Sequence, residues 1–210
     1  MEKPLMIIGA TSLGKVAVDI FKSNEVLIYG ILEEDVNLHQ TQIQDIVVLG
    51  SLEDDQLLRI IGKDCDAFVA VDEPKKRLEI VEMLNKTRKV MPVNAIHTKA
   101  WVEESAFLGH GNLLNAGVII GSNSKITNHC LLGIGVMVDS ECEIADFVQI
   151  GAGSIVGAKV KIGEYALIGS GVTIATNVKI GKNAKIIAGS VVVRDVADNE
   201  TVFGVPAQKI

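Results

Sequence analysis

The sequence predicts a chain in two parts, an α/β layered domain over residues 1–92 followed by a parallel β-helix over residues 93–210. Three observations carry this. An aliphatic residue recurs at every sixth position from Val102 to Val192, sixteen times without a slip. The first half instead alternates short apolar runs with segments of helical spacing. The chain is also 48% hydrophobic with 20 Gly, yet has only 1 Trp, 2 Tyr and 5 Phe, so its core is aliphatic and fits thin regular layers better than an irregular globule.

In chain order, Leu5–Ile8 reads as a first strand and Leu13–Phe21 as a helix. Val26–Leu32 is a second strand, and Ile46–Leu49, Ala67–Val71 and Lys89–Met91 are later ones. Between them, Leu52–Ile61 and Lys75–Leu84 carry apolar residues at three-to-four spacing, as helices packed on a parallel sheet should. The turn GATSLGK follows the first strand. A dinucleotide fingerprint would need Gly where Thr11 stands, and the close approach of a pyrophosphate that Gly permits is hindered. The turn still offers Gly9 and a helix N-terminus from Leu13, which suits a nucleotide phosphate or a base edge as well as it suits a plain strand-to-helix turn.

In the second half, a six-residue unit of short strand plus turn directs two side chains inward, and three units close a coil of 18 residues. Coils stack at the strand spacing of about 4.8 Å, so each satisfies its neighbours' backbone groups. A period of six matches neither 3.6 nor 3.5, which excludes helix. Two residues before most repeats the side chain is small or aliphatic, and Cys130 and Cys142 fall on such inward positions as small core residues. Gly directly after the repeat, as at Gly121, Gly151 and Gly169, is expected to relieve the corner. His129 lies outside the inward register, which makes it a surface or interface position.

Composition narrows the function. With 20 basic against 26 acidic residues the net charge is −6, which argues against nucleic acid as a partner. Every apolar stretch is interrupted well before the roughly 18 residues that a membrane span requires, so no membrane insertion is expected. Nor does the N-terminus read as a cleaved signal. Cys65, Cys130 and Cys142 have no metal-ligand spacing and leave one thiol unpaired in any pairing, which predicts no metal and a cytoplasmic location.

The repeated hexad [LIVASC]-x-[LIV]-G-x-x resembles that of the bacterial hexapeptide-repeat acyltransferases. The resemblance implies a left-handed coil and a homotrimer. Residues 188–210, AGSVVVRDVADNETVFGVPAQKI, are similar to the closing segment of these enzymes, in which G-x-P-A, here Gly204, Pro206 and Ala207, lies near acyl-CoA. GATSLGK, GILEED, IVVLG, FVAVDEPKKR and NAIHTKAWV together resemble the sugar O- or N-acyltransferase branch, whose members acetylate sialic acids or UDP-4-amino-sugars. This implies a Rossmann-like domain for the nucleotide sugar (1–92) and a left-handed β-helix with an acyl-CoA-binding tail (93–210). Acetyl-CoA is the co-substrate, and the product is an acylated amino or hydroxyl group in glycan biosynthesis.

Carried onto this chain, the resemblance assigns substrate contacts to Thr11, Ser12, Leu13, Glu33, Glu34 and Asp72. It assigns acyl-CoA contacts to Gln149, Ser170, Ala188, Gly204 and Pro206. Several positions depart from the pattern. Ser12 and Leu13 replace a Gly-His pair, Asp72 replaces a Gly, and Gln149 replaces a His. The largest departure lies at Val138-Asp139-Ser140-Glu141-Cys142, where Ser140 stands in place of the general-base His while the neighbouring acid, Glu141, is kept. Ser140 and Glu141 are therefore the catalytic candidates, with three readings open. Glu141 acts as the base itself, a His arrives from another copy, or the chain is a silent homologue that binds a nucleotide sugar or serves as a structural partner.

Overall fold

The computed structural model describes residues 3–210, which form two compact units, one ending at Thr98 and the other spanning Lys99–Ile210.

The first unit is Rossmann-like. Its elements are β1 (Leu5–Ile8), α1 (Ser12–Ser23), β2 (Ile28–Leu32), β3 (Gln42–Ile43), β4 (Ile46–Gly50), α2 (Asp55–Ile60), β5 (Asp66–Val69) and α3 (Pro74–Arg88). The sheet order is β3-β4-β2-β1-β5. All neighbours are parallel except β3, which turns back antiparallel on β4. β1, between β2 and β5, is buried along its whole length, as a parallel strand covered on both faces must be. α1 buries Ala17, Val18, Ile20 and Phe21, and Phe21 meets Phe68 of β5 edge-on at 5.6 Å. α3 opens on Pro74, whose fixed φ suits a first helical turn, and closes on Lys89 in the left-handed region. The strand expected over Lys89–Met91 does not form. Lys89 is the helix cap, and Val90 packs instead against the apolar cluster beneath α3.

The second unit is a left-handed parallel β-helix of two-residue strands in three sheets. Paired residues are 18 apart, as in Ile119↔Met137↔Ile155↔Thr173↔Val191, Lys125↔Glu143↔Lys161↔Lys179 and Leu131↔Gln149↔Leu167. The sixth-residue column is buried from Leu114 to Val192; only Val102 and Leu108, in the first coil, are half-buried. Cys130 and Cys142 lie wholly inside. Polar side chains among the inward positions are bonded to the next coil. Ser124 Oγ donates to Asp139 O at 2.7 Å and accepts from Cys142 N at 3.0 Å, while Asn112 Oδ1 accepts from Cys130 N at 2.8 Å.

The last coil contains a slip that the six-residue count passes over. Ile180 pairs with Val196 and Ile186 with Val202, 16 residues on, so the inward column continues after Val192 through Val196 and Val202. The chain ends in an antiparallel hairpin, Thr201–Gly204 with Ala207–Lys209.

His129 is not a surface residue. It is 3% exposed, its ring stacks on Phe147 at 4.9 Å, and Phe147 stacks on Tyr165 at 5.2 Å. These residues sit one coil apart at a corner where each adopts positive φ, so side chains of successive coils point the same way and form a ladder. Gly111 lies beneath the ladder, because a Cβ there would fall 2.2 Å from His129 Nδ1.

Candidate functional site

In the first unit a cleft of about 210 Å³ opens where β1, β2 and β5 end, the carboxyl edge at which open parallel sheets place ligands. Gly9 and Thr11 line it from the β1–α1 turn, Leu32, Glu33 and Glu34 from the end of β2, and Val71, Asp72, Glu73, Lys76 and Ile80 from the start of α3 and the loop before it. Gly9 has φ +113°, and a Cβ on it would lie 2.4 Å from Ala70 O, so only Gly lets the turn pass this close to the end of β5.

Glu33 acts as a brace. Its Oε2 accepts from Ala10 N at 2.6 Å, and its Oε1 accepts from the backbone N–H of Glu34 at 2.8 Å and of Asp35 at 3.3 Å. One carboxylate thus ties the β1–α1 turn to the end of β2. Glu34 instead reaches across to α3, where its Oε2 lies 2.6 Å from Lys76 Nζ, and this bond holds the Lys76 ammonium above its ordinary pKa. Arg77, wholly buried, donates from Nη1 to the carbonyls of Val71 and Asp72 and so fixes the loop that forms the far wall. Thr11 is the N-cap of α1, but its side chain makes no capping hydrogen bond.

Four of the six residues expected to touch a sugar substrate, Thr11, Glu33, Glu34 and Asp72, therefore lie on one cleft. Ser12 and Leu13 open α1 and do not line it. Sequence reading missed Lys76 and Arg77. The spacing that identifies α3 as amphipathic also sets Lys76 and Ile80 on one face, four residues apart, and that was the available signal.

On the β-helix, Ser140 and Glu141 occupy the corner that follows the Met137–Val138 strand. Ser140 N donates to Asp139 Oδ1 at 2.6 Å, and Ser140 O accepts from Lys159 N in the next coil at 2.9 Å. Glu141 is exposed in the left-handed region, with Lys159 Nζ 3.8 Å from its carboxylate. His110 and His129 sit at a different corner from Ser140. Ser170 and Ala188 are exposed and stacked one coil apart. Gly171 N donates to Ala152 O and Gly189 N to Ser170 O, both at 2.9 Å, so residues 152, 170 and 188 form one track beside a corner of glycines. Gln149 is half-buried on the strand leading to that track, while Gly204, Pro206 and Ala207 belong to the closing hairpin. The Ser140 corner and the Ser170 track are at opposite edges of the sheet Trp101–Ile119–Met137–Ile155–Thr173–Val191, so a single chain does not bring them together.

Comparison with known proteins fits this two-part architecture. Residues 4–84 match the PglD N-terminal domain, and residues 159–194 match the bacterial transferase hexapeptide (six repeats). The chain's two units thus match, in turn, a PglD N-terminal domain and transferase hexapeptide repeats. It is similar to a variant of GDP-perosamine N-acetyltransferase from Caulobacter crescentus in complex with CoA and GDP-perosamine, with 29% identity over 99% of this chain and 96% of that one and a TM-score of 0.89. It is also similar to the acetyltransferase domain of PglB from Neisseria gonorrhoeae in complex with acetyl coenzyme A, with 26% identity over 100% of both chains and a TM-score of 0.90. WeeI from Acinetobacter baumannii, 24% identical over 99% of both chains with a TM-score of 0.86, shares the fold. No curated protein sequence gives a significant match. No helix among the described residues is long and apolar enough to cross a membrane.

Proposed function

We propose that this protein transfers an acetyl group from acetyl-CoA to the amino group of a nucleotide-linked sugar. The observation that carries the reading is the likeness, over nearly the whole of both chains, to a transferase in complex with CoA and a GDP-amino-sugar, with a cleft in the matching N-terminal domain at the carboxyl edge of its sheet. In this account the cleft lined by Thr11, Glu33, Glu34 and Asp72 holds the nucleotide sugar, and acetyl-CoA lies along Gln149, Ser170 and Ala188 beside the tail at Gly204 and Pro206. The amine attacks the thioester carbonyl, its proton goes to a base, and CoA thiolate leaves.

The acting unit in this proposal is a homotrimer. The sheet between the Ser140 and Ser170 edges is apolar outward, with Trp101, Ile119, Met137 and Ile155 exposed. Three copies meeting on this face cover it and set the Ser140 edge of one against the Ser170 track of the next. Glu141 is then the base, and a carboxylate is weaker in that role than the imidazole it lacks, so turnover is slow. The buried thiols of Cys65 and Cys142 fit a reducing, cytoplasmic setting. A second reading, a silent homologue that binds without turnover, is favoured by one observation, Ser140 in the place of His. Calorimetric titration tests the assignment. Saturable binding of acetyl-CoA and of UDP or GDP at one site each per chain is expected, and absence of acetyl-CoA binding would overturn the transferase reading.

A further inference from the structure

We propose that Lys76 is the residue that admits a phosphate-bearing ligand to the N-terminal cleft, and that Glu34 holds its ammonium until the ligand arrives; this rests on the cleft being the nucleotide-sugar site. Among the described residues lining the cleft, Glu33, Glu34, Asp72 and Glu73 are acidic and Lys76 alone is basic. A diphosphate entering such a ring meets four carboxylates, so the one cation decides whether it is attracted or repelled.

The two glutamates are held in different ways. Glu33 has both oxygens engaged by backbone N–H groups of the β1–α1 turn and the end of β2, so it cannot swing aside without releasing both. Glu34 is engaged by Lys76, across from β2 to α3, in a pair whose side chains are 58% and 42% exposed. An ion pair this open to water is weak and exchanges readily for a better partner. A diphosphate, with two negative charges and many acceptor oxygens, is such a partner. When Lys76 turns to it, the Glu34 carboxylate is released as an acceptor facing the same cleft, ready for a ribose hydroxyl or a base N–H. One exchange therefore creates a phosphate contact and a nucleoside contact together, and neither forms fully without the other.

Lys76→Met and Glu34→Gln test this in the intact protein, with UDP and GDP followed by calorimetry and uridine and guanosine by saturation-transfer NMR. Lys76→Met should weaken diphosphate binding about tenfold or more and flatten its salt dependence, while strengthening the nucleoside signal, because Glu34 is then released without a phosphate. Glu34→Gln should retain or tighten diphosphate binding, because its Lys76 is free, and should weaken the nucleoside signal. Diphosphate affinity and salt slope in Lys76→Met equal to those of the parent protein would overturn the role of Lys76. A parent protein that binds neither diphosphate would overturn the cleft assignment itself, a different failure.

Discussion

At the scale of single residues, burial sets the chemistry of the three thiols. Cys65 is wholly buried, and burial together with Asp66 and Asp64 pushes its thiol up from 9.0 to about 11. Burial likewise raises Cys142, against hydrogen bonds that pull the other way. A thiol attacks only as thiolate, so the native protein should show no fast-reacting cysteine toward a disulfide reagent at pH 8, and all three on unfolding. The pH dependence follows. Between about pH 9 and 11 the unfolded chain gives up the Cys65 proton while the folded one keeps it, so stability is constant below that window and falls as pH rises through it. Chemical denaturation at pH 8 and pH 10.5 measures the drop, and a Cys65→Ala variant should lack that part of it. The core role of Cys130 and Cys142 was legible, because their positions fall in the inward phase. His129 was not, because the six-residue phase separates inward from outward along strands only. It is blind to a corner where left-handed backbone stacks His129, Phe147 and Tyr165 into a closed ladder.

At the scale of the repeat, two kinds of Gly do different work, and the sequence pattern merges them. Gly151 follows a strand, and a Cβ on it would lie 2.4 Å from Ser170 N in the next coil, so it is there for close approach, not for corner relief. Gly153 has φ +69° and open space around a Cβ, so its requirement is conformational alone, and Asn tolerates that region. Gly151→Ala should therefore cost about 1–3 kcal/mol through backbone displacement, and Gly153→Asn less than about 1 kcal/mol. Paired denaturant titrations check the order; equal losses would contradict it. The strands were legible because a two-residue strand with an aliphatic at fixed phase has no other way to bury it. The slip to a 16-residue coil at Val196 and Val202 was not, since two deleted residues leave valines in place but out of phase.

At the scale of the molecule, the sequence specifies both units, but only part of each site. The turn after β1 and the acids ending β2 are legible as candidate substrate contacts, and Glu33 and Glu34 line one cleft; what decides their behaviour, a brace in one and an ion pair to Lys76 in the other, depends on β2 and α3 facing each other across the sheet edge. The β-helix leaves an apolar outer face that the trimer account covers. Met137→Glu, placed at its middle, should convert a trimer to monomer in sedimentation velocity and abolish transfer, with the far-ultraviolet circular dichroism of the full chain little changed. A monomeric parent protein would contradict that account.

In the proposed function, transfer runs on a scaffold like that of a GDP-perosamine N-acetyltransferase, and its pace is limited by the missing imidazole at Ser140. The most direct measurement is release of CoA from acetyl-CoA in the presence of GDP- or UDP-linked amino sugars, by the parent protein and by Ser140→His. The account predicts slow acetylation of one such sugar by the parent and a gain of about a hundredfold in the variant, the contribution of a well-placed general base. No acetylated sugar from either protein would contradict it.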